Sequence, residues 1–240
     1  LDDVILRQKR LVISANQLFN TYVNTLCFGE GIVNKEKLVN TKIGKIAKRW
    51  AITTLDKISI KITKGTTPRG GNFIEDGINF IKVESIDDQG NFIEDKFKYI
   101  SEATHKNLKR SQLQENDILF SIAGALGRSS IVSKEICPAN TNQALSIIRL
   151  NDNMFPKFFY YYLKSKYIFQ YINKTKVKGA QPNISLKNIR DIIVPVPDFK
   201  EQMDIVSTIE KVEKLYFKNK QYLLNTKKLQ NSLINEIFSL

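Results

Sequence analysis

Two short stretches hold residues able to read a polyanion. Lys174, Lys176, Lys178, Gln181 and Asn183 crowd the turn marked by Gly179 and Pro182. Lysine binds phosphate oxygens or a guanine edge, and the carboxamides of Gln and Asn can pair bidentately with adenine. Lys64, Thr66, Arg69 and Asn72 offer the same chemistry in a second loop rich in Gly, Thr and Pro. Solvated loop polarity explains any one of these residues equally well, so the distribution of charge has to decide. The chain carries a formal +13, with 22 Lys and Arg against 15 Asp and Glu over residues 49–198. Residues 157–190 hold eight basic side chains and no acidic one. Such a block suits nucleic acid.

Catalytic chemistry finds less support. Glu94-Asp95-Lys96, with Asp76 or Asp87 upstream, has the residue types of a metal-dependent nuclease, with Asp76, Glu94 and Lys96 as its core. In a chain with 25% charged residues such triplets arise by chance. Methyl transfer needs a glycine-rich cofactor loop and an Asn/Asp-Pro-Pro-aromatic motif, and the second is absent. Ala123-Gly124-Ala125-Leu126-Gly127 lacks the full glycine spacing and reads as a turn between strands. The chain has one His, His105, and two Cys, Cys27 and Cys137, far apart in sequence. That count leaves no Cys/His metal spacing and points to a reduced, cytoplasmic protein. No catalytic residue, metal or cofactor is therefore expected. No run of about 18 apolar residues occurs, so no membrane span is expected.

Several kinds of element must position the loops. Residues 1–27 place Leu1, Ile5, Val12, Ala15, Phe19, Tyr22 and Leu26 on a 4-3 spacing broken by Gln8, which predicts a helix with a seam for a partner helix. A polar, lysine-bearing linker is expected to about residue 48. Short β-type runs follow at 58–62, 78–83, 118–122, 129–132, 144–150 and 192–196, with helices at 101–108 and 157–172. The aromatic run 155–171 could stack on bases, but Phe158, Tyr161 or Tyr162, Ile168 and Ile172 keep helical spacing and read as core. This mixture predicts an α+β domain on a mixed, mostly antiparallel sheet over residues 49–198. Pro195 and Pro197 close it, because proline cannot donate to a ladder or continue a helix. Asp198 and Glu201 then have the spacing of a helix cap. A second long helix is expected over residues 199–240. Its Ile205, Ile209, Val212, Tyr216, Leu223, Leu233, Ile237 and Leu240 match the first seam, interrupted by Asn219, Thr226 and Gln230. The two helices are expected to pair as a coiled coil.

The stretch 179–202, with its loop, its Ile192-Ile193-Val194 strand, Pro195-x-Pro197 and Glu201-Gln202, resembles the end of a target-recognition domain in specificity subunits of type I restriction–modification enzymes. Four further patches match in order. They are Ile43-Gly44-Lys45-Ile46 with Trp50 and Leu55, then Gly65-Thr66-Thr67-Pro68, Asn116-Asp117-Ile118-Leu119-Phe120-Ser121, and Asn142-Gln143-Ala144-Leu145. Specificity subunits of related type II systems would be resembled equally. The resemblance implies a non-catalytic module that reads one half of a split target in double-stranded DNA. Its implied partners are methyltransferase (M) subunits and, through them, a restriction/translocase (R) subunit. Family members usually carry two such domains, so one domain implies a second half or a homodimer joined through the helices. A chain that begins at Leu1 rather than Met fits a piece of a longer polypeptide.

Overall fold

The computed structural model describes residues 2–32, 37–177, 179 and 182–238. Helix α1 (Asp2–Leu26) leads into a hairpin of β1 (Leu38–Thr41) and β2 (Gly44–Ala47), where a linker was expected. The pattern there is hard to see because lysines flank its apolar positions. Ile43, at the turn, and Ile46 and Ala47 are buried, while Lys42 and Lys45 stay exposed.

The centre of the domain is a four-stranded antiparallel sheet. Its strands, in spatial order, are β4 (Ser59–Lys64), β10 (Leu145–Leu150), β7 (Ile118–Ser121) and β8 (Ser129–Ile131). All four residues of β7 are buried, because the sheet is covered on both sides. Side chains alternate across a strand. Ile118 and Phe120 therefore enter one core and Leu119 the other, as do Ile148 and Ile147 of β10. The smaller core is closed by β5 (Ile78–Ile81), flanked by β6 (Lys98–Ile100) and by β9 (Ala139–Thr141), with β9 parallel to β5. Every other strand pair is antiparallel among the described residues, as the sequence predicts. Helix α2 (Glu102–Asn107) lies after β6, capped by Ser101, whose side chain accepts from the Thr104 N–H.

The larger core is dominated by α3 (Pro156–Leu163), in which Phe158, Phe159, Tyr161 and Tyr162 are all buried. The helix expected over 157–172 is two helices. The chain turns at Lys164, and Ser165 caps α4 (Lys166–Thr175) by accepting from the Ile168 N–H. A short α5 (Leu186–Arg190) precedes β11 (Ile193–Val196), which pairs with β3 (Ala51–Thr54). The chain thus leaves the domain beside the strand by which it entered.

Helix α6 (Phe199–Phe238) starts with the expected cap, Asp198 Oδ1 accepting from the Glu201 N–H at 2.9 Å. Its first turns belong to the domain core, since Ile205, Val206, Ile209 and Val212 are buried there. Beyond them it pairs with α1, and Gln230 donates to Asp2 at 2.7 Å, so the two helices run antiparallel. Ile5, Ala15, Phe19 and Val23 are the buried residues of α1. Asn219, Thr226 and Gln230, expected to interrupt the α6 seam, sit on it half-buried, while Leu233 lies beyond it and is exposed. Leu1 and Leu240 lie outside the described residues, as does the side chain of Ile237. No helix of the described residues is long and apolar enough to cross a membrane.

The join between helix and domain is polar. The Glu201 carboxylate, 9% exposed, accepts from Trp50 Nε1 at 2.9 Å and pairs with Arg49. Gln202, fully buried, accepts from the Phe155 N–H at 2.7 Å and donates to the carbonyls of Asn153 and Pro197, each at 3.0 Å. Replacing Glu201 by Ala leaves the Trp50 N–H buried without a partner, and is expected to cost about 2–4 kcal/mol in denaturant unfolding. Arg49→Ala removes a side chain that is 50% exposed and is expected to cost about 1 kcal/mol or less. Equal losses in the two variants would show that the salt bridge, rather than the buried acceptor, holds the join.

Candidate nucleic-acid interface

The sheet register brings both sequence-predicted loops to one place. Lys64 at the end of β4 lies opposite Ser146 near the start of β10, and Leu145 lies opposite Ser121 at the end of β7. The loops that leave this end are therefore neighbours. The Gly65 N–H donates to the Leu145 carbonyl at 3.2 Å and the Thr66 N–H to that of Thr141 at 2.9 Å. On the other side the Ile122 N–H donates to Ala144 and the Ile184 N–H to Ile122, both at 2.9 Å. Asn183 forms β-bridges with both Ala123 and Val177. Residues 64–72 and the described residues of 174–183, more than a hundred positions apart, are joined across the ends of β10 and β7. The segment 123–127 is the turn between β7 and β8, as expected.

Gly65 is required by contact rather than by dihedral angle. A Cβ there would stand 2.1 Å from the Thr141 carbonyl oxygen and 2.3 Å from that of Asn142. Glycine lets the two backbones touch, and the loop beyond is then fixed by side chains. Thr67 Oγ1 donates to Gln143 Oε1 at 2.6 Å, and Arg110 Nη2 donates to Thr66 Oγ1 at 2.8 Å. Lys64, Arg69 and Asn72 are exposed on this loop. On the other, Lys174 and Asn183 are exposed, while Lys176 is half-buried and donates to Asn173 Oδ1 at 2.8 Å. Lys178 and Gln181 lie outside the described residues.

Two further side chains at this end carry no distinguishing signal in the sequence. Gln143 stands in the Asn142-Gln143 patch, which carries only a family resemblance in sequence. Arg110 follows α2 in a 3₁₀ turn beside Lys109, and nothing local distinguishes it from other surface cations. The ammonium of Lys61, on β4, is held below the usual lysine pKa first by partial burial and next by the charge of Arg149, with Arg110 adding to it. Arg149 itself is paired with the fully buried Asp117 at 2.7 Å at the opposite end of the sheet. The loop end thus combines cations, carboxamides and hydroxyls, the groups that hold phosphates and base edges.

The groups weighed for catalysis have structural surroundings. His105 Nδ1 is 2.5 Å from Asn140 Oδ1, and Asn140 is buried. Burial pushes the Cys27 thiol well above its ordinary pKa, so it stays protonated. Asp76 and Glu94 are exposed, and among the described residues no group of three or more His, Cys, Asp or Glu is placed to hold a metal ion.

A family model described as the type I restriction modification DNA specificity domain matches residues 47–227. The chain belongs to this family. A specificity subunit of the type I restriction enzyme EcoBI from Escherichia coli is 31% identical over 187 residues, which is 75% of this chain and 38% of that protein. A putative type I MjaX specificity subunit from Methanocaldococcus jannaschii is 24% identical over 85% of this chain and 49% of its own length. The chain thus spans less than half of either curated relative. Among solved structures, the HsdS subunit of Thermoanaerobacter tengcongensis superposes with a TM-score of 0.62 at 15% identity, over 98% of this chain and 53% of that one. The S subunit from M. genitalium gives 0.60 at 17% identity, over 97% and 56%. The specificity-domain fold, long helices included, is shared throughout.

In this specificity domain Gly65→Ala is expected to destabilise the fold by about 1–3 kcal/mol, because the new methyl meets backbone that cannot rotate away. Gly71→Ala meets nothing within 4 Å and should cost only about 1 kcal/mol, for its φ of 64°. Urea unfolding of the two variants checks the contrast, and equal losses would remove the contact argument for Gly65.

Proposed function

We propose that this chain is a specificity subunit, or half of one, that reads one half of a bipartite target in double-stranded DNA. The convergence of four loops at one end of the central sheet, with cations and carboxamides on them, carries this reading. Lys64, Arg69, Arg110, Lys174, Lys176 and Lys178 take phosphates. Thr66, Asn72, Gln181, Asn183 and Gln143 supply hydroxyls and carboxamides for base edges or for holding the loops that reach them. The chain itself performs no catalysis and needs no cofactor. It acts in the cytoplasm, as the guide for methyltransferase subunits and, through them, a restriction subunit.

The helix pair supports the assembly side of the reading. Val4, Leu11 and Leu18 of α1 repeat every seven residues and are 40–50% exposed. Leu215, Tyr222 and Leu229 of α6 do the same at 47–54%. These apolar stripes lie outside the α1–α6 seam and fit helices of the second half or of a methyltransferase subunit.

Methylome sequencing of cells with and without the gene tests the proposal. Loss of one bipartite methylated motif is expected, and an unchanged methylome would sink the reading. With the target known, affinity should fall steeply as salt rises, because bound cations release counterions. Lys176→Ala is expected to weaken target and scrambled duplexes alike and to lower the salt slope by about one. Gln143→Ala should cost roughly 1–3 kcal/mol on the target alone. Equal losses on both duplexes would assign Gln143 a role other than reading.

The spacing of the half-sites yields a separate test. One heptad added to α1 near Gln8 and one to α6 between Asn219 and Thr226 preserves the seam and lengthens the pair by about 10 Å. At about 3.4 Å per base pair the gap in the target should widen by roughly three base pairs, with both half-sites unchanged. Selection from a randomised-gap library checks this, and recovery of the original gap by a folded variant would mean that the helices do not measure the distance.

A further inference from the structure

Helix α4 presents an unused face beside a basic groove. Ile168 and Ile172 bury its inner side. On the outer side Lys166, Gln170, Asn173 and Lys174 are exposed, and Phe169 is 67% exposed, an unusual position for a phenylalanine outside any core. A groove of about 410 Å³ opens between the start of α4 and the β1–β2 hairpin; Lys42, Lys45, Lys166 and Gln170 line it, with Glu30 the one acidic residue among the described residues of its lining. The lysines are set on a firm base. Ile43, between Lys42 and Lys45, is buried, and the hairpin turn is tied by Thr41 Oγ1, which donates to the Gly44 carbonyl at 2.7 Å. The Lys166 N–H donates to Asn24 Oδ1 at 2.7 Å, which fixes the start of the helix. Among the described residues Lys42, Lys45 and Lys166 have no ion-pair partner.

The face is continuous with the loop end of the sheet. Helix α4 runs from the hairpin groove to Thr175, and just beyond it Val177 bridges to Asn183, which in turn bridges to Ala123. Lys166 and Lys174 stand about 12 Å apart along the helix axis, which matches the width of the DNA major groove. Between them lie a carboxamide pair suited to adenine and an aromatic ring suited to a thymine methyl.

On the DNA-reading role set out above, we propose that α4 is a second base-reading element. Its Phe169, Gln170 and Asn173 face the floor of a DNA groove, and Lys42, Lys45 and Lys166 hold the flanking phosphates. The occupant is duplex DNA rather than a partner protein, because Lys42, Lys45 and Lys166 stand at one end of the face and Lys174 at the other, and it adjoins the loops already assigned to DNA.

The test uses the intact protein in its native complex, the duplex identified by methylome sequencing, and a scrambled duplex of equal length. Phe169→Ala/Gln170→Ala/Asn173→Ala is expected to weaken the target at least roughly tenfold and to leave the scrambled duplex unchanged. Lys42→Ala/Lys45→Ala/Lys166→Ala is expected to weaken both alike and to lower the salt slope by roughly 2–3. All six residues are on the surface, so the melting curves should match the wild type. Wild-type binding by the α4 variant, or equal losses on both duplexes, overturns the proposal. So does loss of the methyltransferase subunit with DNA binding kept, which would give the face to a protein. An absence of salt-dependent binding by the wild type itself would instead sink the DNA-reading role beneath it.

Discussion

The buried carboxylate of Glu201 is the constraint on which the rest depends. It sits where β3 enters the domain and α6 leaves it, between the indole of Trp50 and the guanidinium of Arg49. Gln202 beside it is fully enclosed by three hydrogen bonds to the chain around Phe155 and Pro197. Burying such groups costs free energy unless every bond is made with good geometry. An apolar contact would tolerate a range of angles, whereas these bonds are satisfied in one orientation. The root of the long helix is therefore fixed to the domain, and the part of α1 packed against that root is fixed as well. Tyr161 reinforces the join higher up, its hydroxyl donating to Glu213 at 2.7 Å.

The central sheet solves the complementary problem of holding irregular loops still. Covered on both faces, it keeps its strands in register through alternating Ile, Leu and Phe side chains, and a one-residue slip would turn each of them to the wrong core. The loops at one end of it inherit that rigidity. Gly65, pressed against the backbone of Thr141, and Thr67, bonded to Gln143, are the visible joints. The side chains beyond these joints can change without disturbing the strands that carry them.

The parts legible in the sequence were those with local causes. The seams of α1 and α6, the proline stop at Pro195 and Pro197, the Asp198 cap and the central β runs all follow from spacing or from proline chemistry. The hairpin at 38–47 resembles a linker in sequence because Lys42 and Lys45 mask the burial of Ile43 and Ile46. The break between α3 and α4 carries no Gly or Pro, and its one signal was Ser165, a capping residue inside an aromatic run. Strands β6 and β9, three residues each, exist through their pairing with β5 rather than through propensity. At the candidate site the exposed loop cations were legible. Arg110 and Gln143 were not, since each is defined by a partner more than forty residues away.

The α1–α6 pair changes character along its length. Near the domain its seam is Ile205, Ile209 and Val212, merged with the main core, and farther out it passes through the half-buried Asn219, Thr226 and Gln230. Apolar burial holds the first part at about 25 cal/mol per Å², while toward the far end Ile5 is the one buried residue of α1 before Ala15, and hydrogen bonds of the Gln230–Asp2 kind, in reach of water, add little. Mechanically the pair is a cantilever, stiff at its root and compliant at its tip. A load applied at the tip therefore bends the pair there first, and the root passes little of that movement to the loops.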